Sequence, residues 1–356
     1  EISACLVGSE MCIRDRTMLG TSCNSEWEDE QYEHYISFSS QLDSKGVTNI
    51  YVPYSRHDAE GNYAEGGEGR SNYQLPILVS GSTDNPSNVT VHVAHDADTL
   101  NILNYARYAT RTELYYEDMG AEGLAYASYP ESLQIKAGEN KGLLDLKFDF
   151  RNIDMSEKWV LPLQIVDDAA YNYVAHPRKD YAKAILRIFP FNDYSGDYSG
   201  TGITNKVVTG YDGNGKPIET AESITKSSIR GYVIDEQTIF TYAGIVDEDY
   251  TDRRKYKIKF AFNGETNGSV TISCDNAEEI GFELNEDVTP SFRISSSMDD
   301  AKPYLEHRYV IINNVDYYFN YIPVEGTIIR YHVKGTLTLS RDINTQIPDE
   351  DQAIEW

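Results

Sequence analysis

Nothing in these 356 residues approaches the roughly 20 consecutive apolar residues that a membrane-spanning helix needs. Membrane attachment would therefore be covalent or made through a partner. Basic residues are scarce: 31 Lys and Arg stand against 57 Asp and Glu, a net charge of −26. Phosphate backbones and anionic lipid faces repel such a surface, which argues against a nucleic-acid partner and against electrostatic docking on an acidic membrane. The acidic residues are spread along the chain, as a well-solvated exterior requires.

Cysteine is sparse too. Cys5, Cys12, Cys23 and Cys274 follow no zinc or redox spacing. Period-two alternation puts Cys274 on the face of Val270 and Ile272, where a thiol acts as a small apolar filler. Catalytic motifs are missing as well. There is no Gly-x-Ser-x-Gly elbow, and no lysine or helix follows Gly66-Gly67-Glu68-Gly69. Asp145-Leu146-Lys147-Phe148-Asp149 has the acidic spacing of a chitinase-like strand, but Arg151 stands where the catalytic glutamate would be. His92, His95, Asp96 and Asp98 form the densest set of metal-type side chains; helix capping by Asp96 or Asp98 accounts for them better than a metal does. Asp247-Glu248-Asp249-Tyr250-Thr251-Asp252 lacks the glycine and the spaced glutamate of an EF-hand loop and reads as a solvated hairpin tip. The chain is expected to be no enzyme and to hold neither cofactor nor metal.

What the sequence has is tyrosine, 28 residues of it, and alternation. Tyr73, Leu75, Ile77 and Val79 form one apolar row; Val89, Val91 and Val93 a second; Leu144, Leu146, Phe148 and Phe150 a third; Trp159, Leu161, Leu163 and Ile165 a fourth. Such rows are half-buried strands of antiparallel sheets. With turn residues between them they predict an all-β chain whose first domain, residues 35–191, is an Ig-like β-sandwich. One short helix, from about Asp98 to Tyr108, is expected to cross an end of that sandwich. A stretch that repeats Asp-Tyr-Ser-Gly follows residue 191. Beyond it, residues 192–356 read as an antiparallel meander, either a calycin-like barrel or a second sandwich. Its rows are Tyr256, Ile258, Phe260 and Phe262; Ile280, Phe282 and Leu284; and Tyr309 and Ile311, with Asn313-Asn314 as the turn to Tyr317, Phe319 and Tyr321. Ile329, Tyr331 and Val333 then run into Leu337 and Leu339.

Residues 1–16 resemble translated adapter read-through and are set apart from the fold. Thr17-Met18-Leu19-Gly20-Thr21-Ser22-Cys23 resembles a bacterial lipobox, with residues 17–22 as the remnant of a signal peptide and Cys23 as the lipid-attachment residue. The acidic run Glu26-Trp27-Glu28-Asp29-Glu30 within residues 23–34 resembles the tether that sends Bacteroidota lipoproteins to the outer face of the outer membrane. Several acyl chains would anchor it stably.

Leu75-Pro76-Ile77-Leu78-Val79-Ser80-Gly81-Ser82-Thr83, the Val89-Thr90-Val91 and Asp96-Ala97-Asp98-Thr99-Leu100 stretches, Tyr129-Pro130 and Trp159-Val160-Leu161-Pro162-Leu163 carry a further resemblance. So do Pro303-Tyr304-Leu305-Glu306-His307-Arg308-Tyr309 and the ending from Arg341 to Gln352. Together they resemble Bacteroidota surface lipoproteins of polysaccharide-utilisation systems, in which a β-sandwich domain of unassigned function is followed by a second all-β domain. Some relatives carry a chitinase-like endoglycosidase domain after the first. The resemblance implies a non-catalytic surface protein that captures a polysaccharide or oligosaccharide, working beside an outer-membrane importer complex, with membrane contact only through its lipid. A structural or adhesive protein that binds protein partners is the alternative. Sugar recognition needs aromatic faces flanked by planar polar groups. The candidates are Tyr63 in the Gly-rich loop, Tyr115, Tyr116 and Tyr126 after the helix, and Tyr317, Tyr318 and Tyr321 in the second domain.

Overall fold

The computed structural model describes residues 33–40, 42–58, 60–64 and 66–347. Cys5, Cys12, Cys23, the lipobox, Trp27 and Trp356 lie outside them. The first domain has β1 Tyr35–Phe38, β2 Thr48–Pro53, β3 Arg70–Val79, β4 Val89–His95, β5 Tyr116–Asp118, β6 Ala127–Ser128, β7 Ser132–Ile135, β8 Lys141–Asp149, β9 Lys158–Ile165, β10 Val174–Ala175 and β11 Lys183–Phe191. They form two sheets, ordered β10-β1-β3-β8-β6 and β2-β11-β9-β4-β7, with β5 added beside β9. The pairs β1–β10, β2–β11 and β5–β9 are parallel.

Alternation builds the core between the sheets. Leu75, Ile77 and Val79 of β3 and Leu144, Leu146 and Phe148 of β8 meet Val89, Val91 and Val93 of β4 and Leu161, Leu163 and Ile165 of β9. Strand β9 is covered on its other face as well. Val160 and Ile185 pack there with Leu100 of helix α1, Ala97–Tyr108. The helix thus lies on the outer face of the second sheet and not across an end of the sandwich. The signal for this is the unbroken apolar run Val160-Leu161-Pro162-Leu163, which needs cover on both faces.

Asp96 is the N-cap of α1. Its Oδ1 accepts from the Thr99 N–H at 3.1 Å, and its Oδ2 accepts from Lys183 Nζ at 2.6 Å. Asp96→Ala is expected to lower stability by about 1–2 kcal/mol, the value of a lost cap with a stranded cation beside it. Urea unfolding checks this; a midpoint equal to that of the wild type would contradict it.

The second domain has β12 Gly196–Ser199, β13 Ile203–Tyr211, β14 Pro217–Glu219, β15 Ser228–Asp235, β16 Thr238–Tyr242, β17 Lys257–Asn263, β18 Asn267–Ser273, β19 Glu283–Leu284, β20 Ser291–Met298, β21 Leu305–Val324 and β22 Thr327–Asn344. Antiparallel pairing runs β12-β15-β16-β17-β18-β20-β21-β22 and returns from β22 to β12 through Ser199 and Thr338. The meander therefore closes as a barrel. Closure brings two backbones together: a Cβ at Gly335, whose φ is +145°, would stand 1.9 Å from the Gly202 oxygen. Only glycine fits there.

Two expected features differ. Asn313-Asn314 is not a turn but a bulge inside the single strand β21, where Asn314 has φ +58° and the register to β22 shifts. The extra residue flips the pleat, so Val310 and Ile312 are buried before it and Val315, Tyr317 and Phe319 after it. Tyr309 and Ile311 accordingly belong to the opposite face from the one expected of a core row. Residues 280–284 form no row either: Ile280 is buried in a turn, and β19 is two exposed residues.

Candidate functional site

The junction after β11 is a built turn. The Asn192 side-chain oxygen accepts from the Tyr194 and Ser195 N–H groups, and Arg341 of β22 donates to the main-chain oxygens of Asn192 and Ser195. The domains then fold against each other. Met155 and Phe189 of the sandwich join the barrel's apolar cluster, and Val233 of the barrel joins the sandwich's. Arg253, 1% exposed, reaches across to donate to the Ser156 oxygen at 2.7 Å, the Glu113 oxygen at 2.8 Å and Glu157 Oε2 at 3.1 Å. Lys158 pairs with Asp249 at 2.5 Å and Lys257 with Asp154 at 2.9 Å.

Beside this seam a cleft of about 360 Å³ opens between the domains. Period two explains its walls. On β11, Leu186 and Ile188 face the sandwich core, which leaves Arg187 and Phe189 facing out. On β15, Ser228, Arg230 and Tyr232 share one face and line the cleft. Asp43, Lys45 and Asn49 come from around β2, Asp197 from β12, Tyr242 from β16, and Asp247 and Glu248 from the loop after β16.

The charges in the cleft are organised. Glu248 accepts from Arg187 at 2.6 Å, from Lys45 at 3.0 Å and from the Tyr232 hydroxyl at 3.1 Å. Burial works against its ionisation, but Arg187 and Lys45 outweigh burial and hold its carboxyl far below the usual range. Arg230 grips Asp197 with two bonds of 2.7 and 2.6 Å. The two guanidinium carbons stand 4.6 and 4.7 Å from the centre of the Phe189 ring. Burial drives the Tyr232 and Tyr242 hydroxyls well above their ordinary range, so both stay neutral donors.

The expected sugar-binding tyrosines do not gather. Tyr63 is 48% exposed and packs beside His57 in its loop. Tyr115 donates to the Ala109 oxygen, and Tyr126 meets Trp159 edge-on. Tyr116 starts β5 and Tyr317 lies in β21; each is 3% exposed, so neither shows a ring face to solvent. Tyr318 and Tyr321 are also strand residues, not loop residues. The Tyr318 ring is stacked on His332 at 4.1 Å with Arg330 5.4 Å from its centre, and Tyr321 packs against Tyr250. His92 stacks on Tyr171, His95 meets Asp118, and Asp98 sits in the first turn of α1.

None of the cleft residues is among the tyrosines expected to bind sugar. Two signals were present. Arg187 interrupts the apolar run Ala184-Ile185-Leu186-Arg187-Ile188-Phe189. The acidic run from Asp247 is not a solvated tip: Glu248 and Asp249 answer cations of the first domain.

A model for a domain of unknown function, DUF4973, matches residues 27–169, and a model described as a C-terminal domain matches residues 182–338. A search of curated proteins gives no match. Among solved structures, an auxiliary nutrient binding protein of Bacteroides thetaiotaomicron is 98% identical; the match covers 91% of this chain and 100% of that one, with a TM-score of 0.85. A Bacteroides ovatus protein of unknown function is 42% identical over 90% of this chain and 100% of its own, with a TM-score of 0.74. A multidomain protein including DUF1735, also from Bacteroides ovatus, is 41% identical with the same coverages and a TM-score of 0.73. The chain belongs to this family of two-domain, all-β Bacteroides proteins; in this chain the DUF4973 match falls on the sandwich and the C-terminal match on the barrel.

Proposed function

We propose that the protein is an accessory nutrient-binding protein that captures a saccharide in the interdomain cleft and performs no catalysis. The observation that carries this reading is the cleft itself. It is concave, open, and lined by aromatic rings together with preorganised guanidinium, amide and carboxylate groups. Asn49 and Ser228, both exposed, add neutral partners for ring hydroxyls. The relative that is 98% identical is named an auxiliary nutrient binding protein. A glycosidase needs one carboxyl kept protonated opposite a second. Here Glu248 is held ionised beneath Arg187, and both oxygens of Asp197 are taken by Arg230. This favours capture over cleavage. In the full proposal the protein is tethered through Cys23 on the outer membrane, faces the exterior and works beside an importer.

Affinity electrophoresis against plant, host and microbial polysaccharides tests it. Retardation by at least one polymer is expected. Ser228→Trp, which adds bulk at an exposed wall position, is expected to weaken that retardation at least about tenfold with an unchanged unfolding midpoint. Retention that survives Ser228→Trp, or no retention by any polymer, would contradict the reading. Co-purification with a defined surface complex would then favour the adhesive alternative.

A further inference from the structure

We infer that the saccharide carries an acidic group, a uronate carboxylate or a sulfate, and that Lys226 is its counter-charge. This rests on the cleft as the binding site. The carboxylates around the cleft differ in what answers them. Glu248 is answered by Arg187 and Lys45, and Asp197 by Arg230. Asp43 accepts from the Lys45 and Val47 N–H groups at 2.7 and 3.1 Å. Lys226 lines the same cleft, yet among the described residues it has no ion pair. Its ammonium donates to the Val246 main-chain oxygen at 2.9 Å.

A partly buried ammonium that makes no ion pair gains more from an arriving anion than a paired one does, because part of its hydration is already gone. Burial pulls the Lys226 pKa down, and Asp247 on the exposed rim offsets this only in part. Charge balance points the same way. The chain carries 57 acidic against 31 basic residues, while the cleft wall has four of each. An anionic sugar therefore meets less repulsion here than over the average surface. The long-range repulsion that remains is screened at physiological salt, over about 8 Å.

The test is affinity electrophoresis of the whole chain at physiological salt. The polymers are polygalacturonate and alginate for carboxylate, dextran sulfate for sulfate, and carboxyl-reduced polygalacturonate with neutral glucans and xylans for comparison. Retardation by an acidic polymer is expected, at least about tenfold weaker in Lys226→Gln and kept in Lys226→Arg. The polymer class that retards identifies the anion. Acidic-polymer retention unchanged in Lys226→Gln, equal retention by the carboxyl-reduced polymer, or no retention by any acidic polymer would each overturn the inference. Neutral-polymer retention that Ser228→Trp abolishes would leave the cleft reading standing. No retention by any polymer would remove both.

Discussion

Arg253→Ala is expected to cost about 3–5 kcal/mol of stability, as when one partner of a buried ion pair is removed. Arg253 leaves the barrel and ends inside the sandwich, where its guanidinium makes three bonds. Truncation leaves the Ser156 and Glu113 carbonyl oxygens without that donor. Glu157 keeps Arg254, a pairing with far more solvent. Arg253→Lys keeps the charge but cannot reach three acceptors in one plane, so a smaller loss is expected. Trp159 supplies the readout: it packs against both apolar clusters, and its indole N–H donates to the Asp154 oxygen. Urea unfolding followed by tryptophan fluorescence should show the midpoint fall. A loss below about 1 kcal/mol, the range of exposed ion pairs, would mean that the seam is not held by this residue.

Glu248→Ala is expected to have a comparable effect, about 3–5 kcal/mol near neutral pH, because Arg187 and Lys45 would face each other with nothing between them. The Arg187 side chain is only 7% exposed, so water cannot readily replace the carboxylate. The pH dependence has a definite sign. The folded pKa of Glu248 lies below its ordinary value of 4.5. Its contribution is therefore fully present above that value and is lost as the pH falls toward and through the depressed one. The stability of the wild type should drop faster than that of Glu248→Ala below about pH 4.5. Parallel curves over that range would show that the carboxylate is not coupled to folding.

Much of the fold was legible because alternation reports burial directly. The rows in β3, β4, β8 and β17 face their cores as read. Three features depended on information that alternation does not carry. A bulge reverses the pleat without a turn residue being needed, so Asn313-Asn314 imitated a hairpin. The position of α1 depended on what lies behind β9. Closure of the barrel depended on β22 meeting β12, strands more than a hundred residues apart. The cleft was harder still. Each of its residues is ordinary in its own stretch: an arginine on a strand, an acidic loop, a lysine before a strand. They come together only when β11 of one domain and β15 of the other line one cleft. The tyrosines drew attention through their number, but the strands used Tyr116 and Tyr317 for packing and left Tyr318 covered by His332 and Arg330.

The measurement that bears most directly on the whole account is a crystal structure of the protein soaked with an oligosaccharide of whichever polymer retards it. Sugar density between β11 and β15, with an acidic substituent within hydrogen-bond reach of Lys226 and a hydroxyl near Ser228 or Asn49, is the expected result. Sugar density on the outer barrel wall around Tyr318, or along α1, with the cleft empty, would contradict it.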